Sequence, residues 1–156
     1  MKFPFLLLMS MVSVIGCSAS SCNKDDGNIN IENDNGNMIT SNKISIKVNS
    51  KTFTATLFDN DATKAFQKML PITISMTELN GDEKYYDLPE RLPTNASNPG
   101  TTKAGDLMLF GSKTLVLFYK TAATSYSYTS LGRIQDISGL VAALGSKGVT
   151  VTFEME

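Results

Sequence analysis

Residues 43–58 read KISIKVNSKTFTATLF. Apolar Ile44, Ile46 and Val48 alternate with polar Lys43, Ser45, Lys47 and Asn49, the period of two that marks a strand with one buried and one solvated face. Asn49-Ser50 suits a tight turn. Alternation then resumes from Thr52 through Phe53, Ala55 and Leu57 to Phe58, so the stretch predicts an antiparallel hairpin. Directly after it, Asp59-Asn60-Asp61 supplies helix-capping side chains. Ala62, Ala65, Phe66 and Met69 share one helical face until Pro71 stops the helix.

Downstream the same short-strand grammar repeats. Ile72 to Met76 is a third strand, Asn80-Gly81 a turn, and Lys84-Tyr85-Tyr86 a short strand beyond it. Pro89 to Gly105 carries Pro89, Pro93, Pro99, Gly100 and Gly105, an irregular excursion of a length that is often functional. Leu107 to Phe110 and Thr114 to Tyr119 are strands joined through Gly111-Ser112, Thr124 to Thr129 an exposed stretch, and Leu131 to Ile134 another strand. Asp136 caps a last helix, Ile137 to Leu144, closed by Gly145, and Val149 to Phe153 is the final alternating strand. Many short strands with two helices predict a mainly β fold: a closed, roughly eight-stranded barrel with two α-helices capping its ends. Residues 43–156 form this domain, long enough to bury roughly two thirds of the surface exposed when unfolded.

Upstream the sequence changes character. Met1-Lys2 gives a short positive start, and Phe3 to Gly16 is apolar apart from Ser10 and Ser13. Such a run is short for a bilayer span and suits a secretory signal. It ends in Val14-Ile15-Gly16-Cys17, which resembles a bacterial lipobox: a branched residue three places before the cysteine to be acylated, and a small residue before the cut. Residues 1–16 are thus expected to be a lipoprotein signal peptide, with Cys17 the lipidated residue. Cys22 is the alternative, because Cys22-Asn23-Lys24-Asp25-Asp26 resembles the export signals of some surface lipoproteins. A soluble protein with a Cys17–Cys22 disulfide is the remaining reading, and so short a loop outside any folded region stabilises little. Residues 17–42 are expected to be a disordered tether rich in Asn, Asp and Ser. Its Lys24 against Asp25, Asp26, Glu32 and Asp34 gives −3, unsuited to a polybasic anchor on anionic lipid. The expected location is the bacterial cell envelope, on the outer membrane, facing the periplasm or the surface.

The full chain of 156 residues is 42% hydrophobic and 19% charged, with a formal net charge of −1, so no nucleic-acid partner is expected. It contains no His and no Trp, which excludes Ser-His-Asp and Cys-His couples and histidine-ligated zinc. Its two cysteines fall in the targeting region. No metal and no cofactor is expected, and the domain is expected to be a monomer.

The element order, one helix after the first hairpin and one before the last strand, is that of the cyclophilins, and local motifs agree. Phe53 to Asn60 with Thr63 and Phe66 resembles their second strand and first helix. Lys103-Ala104-Gly105-Asp106-Leu107-Met108 resembles their Pro-Gly-x-Leu strand entry. Gly111-Ser112, Lys120-Thr121 and Leu131-Gly132-Arg133-Ile134 resemble Gly-Ser, Lys-Thr and Phe-Gly-Lys-Val at the same mutual spacing. The likeness covers essentially all of 43–156 and is greatest to the short bacterial cyclophilin-like proteins.

The resemblance implies an apolar groove and also vacancies in it. Prolyl isomerases of the family use an arginine on the third strand, with a Trp and a His near an apolar pocket. Here Ile72 to Met76 has no Arg, while the spacing places Leu115 at a pocket Phe, Ala123 at the Trp and Tyr128 at the His. Losing a charge-stabilising donor typically costs about 100-fold or more. Arg91 on the long loop is the one stand-in for the lost cation. The expected groove comprises Leu115, Tyr128, Tyr126, Ala123, Phe110 and Arg91, with no catalytic residue. Tyr126-Ser127-Tyr128 turns both rings to one side if extended. Asp82, Glu83, Asp87 and Glu90 read as solvated turn charges, and Ser125, Ser127 and Ser130 as loop residues without a base. The expected function is a membrane-tethered module that binds a peptide or small molecule. The alternative is a weak prolyl isomerase or folding helper of the envelope.

Overall fold

The computed structural model describes residues 41–156; the expected signal peptide, the expected lipidation sites Cys17 and Cys22, and nearly all of the expected tether lie outside them. Ten strands and two short helices follow in the order β1 (Lys43–Val48), β2 (Lys51–Leu57), α1 (Asp61–Gln67), β3 (Ile72–Leu79), β4 (Glu83–Asp87), β5 (Thr101–Thr102), β6 (Asp106–Phe110), β7 (Thr114–Phe118), β8 (Ala122–Ala123), β9 (Tyr128–Ile134), α2 (Leu140–Leu144) and β10 (Val149–Met155). Eight of the strands close a barrel in the order β1-β10-β3-β4-β7-β6-β9-β2, with antiparallel neighbours throughout. Closure leaves the barrel no free edge. β5 and β8 form a separate two-stranded ladder outside it.

Alternation fills the interior. Ile44 and Ile46 face Ala55 and Phe53 across the first hairpin, and Val48, Leu57, Leu107, Leu109, Leu115, Leu117, Val151 and Phe153 join them in the interior. Each fully buried side chain of this kind contributes about 1.5–3 kcal/mol of transfer free energy. Asn49 takes a positive φ in the two-residue turn between β1 and β2, and Asn80 and Gly81 do so in the three-residue connection between β3 and β4. Gly132 is needed for a different reason: a Cβ there would lie 2.6 Å from the Thr56 carbonyl oxygen on β2.

The helices sit at opposite ends of β1. α1 is capped by Asn60, whose side chain accepts from the Thr63 amide, and buries Ala62, Thr63 and Phe66. Phe66 meets Phe153 edge to face, with ring centroids 5.9 Å apart. α2 adds Leu140 and Leu144 to the core, and the Asn49 side chain donates to the Ala143 carbonyl.

Two expectations need correction. α2 begins at Leu140, not Ile137, because Gly139 takes a left-handed conformation (φ 80°) immediately before it; Asp136 instead accepts from the Ser138 amide. The stretch Thr124 to Thr129 is not wholly exposed: β9 begins at Tyr128, and Tyr128 and Thr129 are buried. A register shift opposite Leu107/Met108 adds one residue to β9, a bulge that breaks the regular alternation on which a sequence reading relies. The long Pro89–Gly105 excursion is also pinned. The Leu88 and Leu92 amides donate to the Lys113 and Ser112 carbonyls, and both leucines join the barrel core. Further along, Ser97 and Tyr128 exchange backbone hydrogen bonds.

Candidate functional site

The outward side chains of β4, β7, β6 and β9 cannot enter the barrel, since alternate residues of a strand point to opposite faces. On β4 these are Glu83, Tyr85 and Asp87, paired across to Phe118, Val116 and Thr114 of β7. Met108 and Phe110 of β6 follow, opposite Val116 and Thr114, with Phe110 also opposite Tyr128 of β9. Met108, Val116, Phe118 and Tyr128 form a second apolar cluster, separate from the barrel interior, with Tyr85 packed against it. Above it the chain leaves a groove of about 610 Å³, bounded further by Thr102, Ala122, Ala123, Thr124 and Tyr126. That volume suits a ligand of moderate size.

The aromatic wall is ordered by Phe110. Its ring lies 5.7 Å from Tyr126 in an edge-to-face contact and 5.7 Å from Tyr128 in a tilted one, while Phe118 meets Tyr128 edge to face at 5.6 Å. Tyr126 and Tyr128 therefore do turn to one side. Burial is the chief cause that raises the Tyr128 hydroxyl above its ordinary pKa. Leu79, Phe110 and Tyr126 are 41%, 43% and 62% exposed, and all three border the groove. They are half of the large hydrophobic side chains left exposed among the described residues. Concentrated exposure of this kind marks interaction sites, whereas scattered apolar residues do not.

The six groove residues expected from sequence divide. Phe110, Ala123, Tyr126 and Tyr128 converge here. Leu115 does not: it is fully buried in the barrel core, opposite Tyr86 and Leu109. Counting residues from Gly111-Ser112 placed Leu115 outward, but a shift of one position in a strand exchanges its faces, and Val116 holds the outward place. Arg91 does not reach the groove either. It lies beside α1 with Lys68 and Met69, and its guanidinium donates to the Ser112 hydroxyl at 2.9 Å. Nor is Arg133 free to serve, since its Nε donates to buried Asp106 across β6 and β9 at 2.6 Å.

What sequence reasoning missed is the acidic wall. Asp82, Glu83 and Asp87 all border the groove, and Asp82 and Glu83 are partly buried, not freely solvated. One Asp82 carboxylate oxygen is buried without a hydrogen-bond partner, and Asp87 accepts from the Thr114 hydroxyl at 2.6 Å. Burial, reinforced by the Asp82 and Glu78 charges, pushes the Glu83 carboxyl up to about 7. The period-two spacing of 83, 85 and 87 was the available signal; a turn-like composition hid it.

The intervening Lys84 points the opposite way. Its ammonium, fully buried, pairs with Glu78 and donates to the Gly145 and Lys147 carbonyls at 2.9 and 2.7 Å. The Tyr119 hydroxyl lies 2.9 Å from both Glu78 oxygens. Burial, then the Glu78 hydrogen bond, pushes Tyr119 up to about 12. Burial by itself raises Glu78, yet the bonds from Lys84, Tyr119 and the Gly81 amide hold its carboxyl below the ordinary value. This closed network spends Lys84 inside the barrel end and leaves the groove's carboxylates without it.

The sequence profile of the Cyclophilin-like family matches residues 46–154. Among solved structures, that of McbB in complex with tryptophan is 16% identical over 72% of this chain, with a TM-score of 0.54. This chain spans 44% of the McbB chain. The solution structure of the hypothetical protein AF2241 from Archaeoglobus fulgidus is 18% identical over 78% of this chain and 99% of its own, with a TM-score of 0.51. No curated protein matches the chain in sequence.

Proposed function

The chain belongs to the cyclophilin-like family, and on that premise we propose that its barrel is a binding module for a peptide segment or small molecule, seated in the groove over β4, β7, β6 and β9. The observation that carries this reading is the convergence of exposed Leu79, Phe110 and Tyr126 on a single groove of about 610 Å³. Side chains that the fold leaves wet at one place are available to a ligand without unfolding anything.

Efficient prolyl isomerisation is not part of this proposal. The outward positions of β3 are Thr73, Ser75, Thr77 and Leu79, and among the described residues no Lys or Arg borders the groove, so the electrostatic term that steadies a twisting amide lacks its donor there. At micromolar protein, cis/trans exchange of an Ala-Pro peptide is expected to stay at the spontaneous rate. Acceleration that disappears in Phe110→Ala would replace binding with catalysis as the role of the groove. For binding itself, a panel of peptides and metabolites is expected to contain ligands that raise the melting temperature of the wild type and not of Phe110→Ala or Tyr126→Ala. A panel without any such ligand would sink the proposal.

The module is further proposed to be lipid-anchored through Cys17, with Cys22 as the alternative, to the outer membrane of a bacterial cell envelope. The lipobox-like Val14-Ile15-Gly16-Cys17 supports this reading. Cys17→Ser is expected to abolish incorporation of labelled palmitate; label that persists and is lost in Cys22→Ser moves the anchor.

A further inference from the structure

Two walls of unlike chemistry face each other across the groove. One carries Asp82, Glu83 and Asp87, the other Phe110, Tyr126 and Tyr128, and among the described residues no basic side chain borders the groove. Of the basic residues near groove positions in sequence, Lys84 is held by Glu78 and two carbonyls inside the barrel, Lys120 lies over the Tyr119 ring, 5.6 Å from its centroid, and Lys103 and Lys113 are exposed and do not line the groove. Carboxylates held beside apolar surface without a counter-charge are costly, and one Asp82 oxygen has no partner at all. A bare metal ion is a poor answer. Glu83 and Asp87 are four residues apart on one strand, about 13 Å at a strand's rise, and no group of three such side chains that could hold a metal occurs among the described residues. A cation with an extended apolar body answers both walls together, through charge-assisted hydrogen bonds on one side and stacking or cation–π contact on the other.

We infer that the groove selects an organic cation, an ammonium, amidinium or guanidinium group attached to a flat apolar body. The inference rests on the binding reading above and adds the sign of the ligand's charge. Glu83 gives it a second signature. The titratable groups around its carboxyl are Asp82, Glu78 and Tyr128, and they supply no positive charge, with Lys84 turned inward. A bound cation lowers the Glu83 pKa, so binding releases a proton near neutral pH, and affinity rises with pH through about 7.

The test uses the full chain and three probes of one shape: benzamidine (cationic), benzamide (neutral) and benzoate (anionic), followed by isothermal titration. Benzamidine is expected to bind at least about tenfold more tightly than benzamide, with benzoate weaker still, because only the cation makes charge-assisted hydrogen bonds to the carboxylates. That advantage is expected to shrink in Glu83→Gln and in Asp82→Asn, and to fall below pH 6 in the wild type while staying flat in Glu83→Gln. Tyr126→Ala is expected to weaken all three probes. Equal or tighter binding of benzamide that is still lost in Tyr126→Ala would overturn the charge inference and leave the binding module standing. Binding of none of the probes would also overturn it, and the ligand panel then decides separately on the module. An Ala-Arg-Ala peptide and its norleucine counterpart, compared in the same way, separate a peptide side chain from a free amine as the source of the cation.

Discussion

The two faces of β4 and β7 differ by one residue in sequence and by everything in environment. Lys84, Leu115, Leu117 and Tyr119 point inward to a filled core and a satisfied polar network. Glu83, Tyr85, Val116 and Phe118 point outward to a groove with an uncompensated charge. Inside, the buried apolar side chains form one cluster and the Lys84 ammonium has three partners. Outside, Phe110 and Tyr126 are partly exposed and Asp82, Glu83 and Asp87 border the same groove. The barrel permits this division: the inner face holds the larger apolar cluster and the outer face a smaller one, which leaves the surrounding outer positions free to carry groups that folding by itself would disfavour.

The sharpest way to break the comparison is to truncate on either side. Leu117→Ala is expected to destabilise by about 3 kcal/mol, through lost transfer energy and the cavity left behind. Tyr126→Ala, well exposed, is expected to cost below about 0.5 kcal/mol, read by urea denaturation. Comparable losses would mean that the outer face also holds the barrel together. Leu115→Arg, which would only block a ligand if Leu115 faced the groove, is instead expected to prevent folding.

Next in size is the inner polar network. Lys84→Met removes the donor to Glu78 and to the Gly145 and Lys147 carbonyls, with an expected loss of about 2 kcal/mol. A double-mutant cycle with Glu78→Gln is expected to show coupling between the pair, whereas strict additivity would assign the loss to packing alone.

The smallest effects come from pH, and they separate the two carboxylates by sign. Glu83, raised from 4.5 to about 7, binds its proton more tightly when folded. Its contribution to stability is complete below about 4.5 and is lost as pH rises through about 7. Glu78, held below 4.5, contributes above that value and loses its contribution as pH falls through its folded pKa. Melting temperature against pH is expected to show a decline of a few degrees on the neutral limb that flattens in Glu83→Gln, and an acid decline that shrinks in Glu78→Gln. Exchanged effects of the two variants would reverse the assignment of inner and outer roles.

Much of this was legible from particular residues. The 43–58 hairpin, the Asn80-Gly81 turn, the Asn60-capped start of α1 and the closed barrel all follow from local pattern, because alternation and turn chemistry act within a few residues. The groove was only partly legible. Ala123 and Tyr128 follow from the spacing of the resemblance and Tyr126 from its alternation with Tyr128, but the same spacing puts Leu115 on the wrong face, since nothing local fixes the register of an unbroken apolar run such as Leu115-Val116-Leu117-Phe118. Asp82 and Glu83 passed for turn charges because their burial comes from β7 and β9, far along the chain.

The amino-acid sequence by itself determined the strand alternation, the turn and helix-cap positions, and the lack of histidine, tryptophan and a third-strand arginine, because composition and short-range periodicity do not depend on how the barrel closes; the order of its motifs carried the resemblance to the cyclophilins. Only the tertiary structure decided which alternate residues face the groove, that Lys84 is withdrawn into the barrel end, and that three carboxylates stand opposite an aromatic wall. Those facts depend on strand register and on the β9 bulge, and both are set where segments distant in sequence meet.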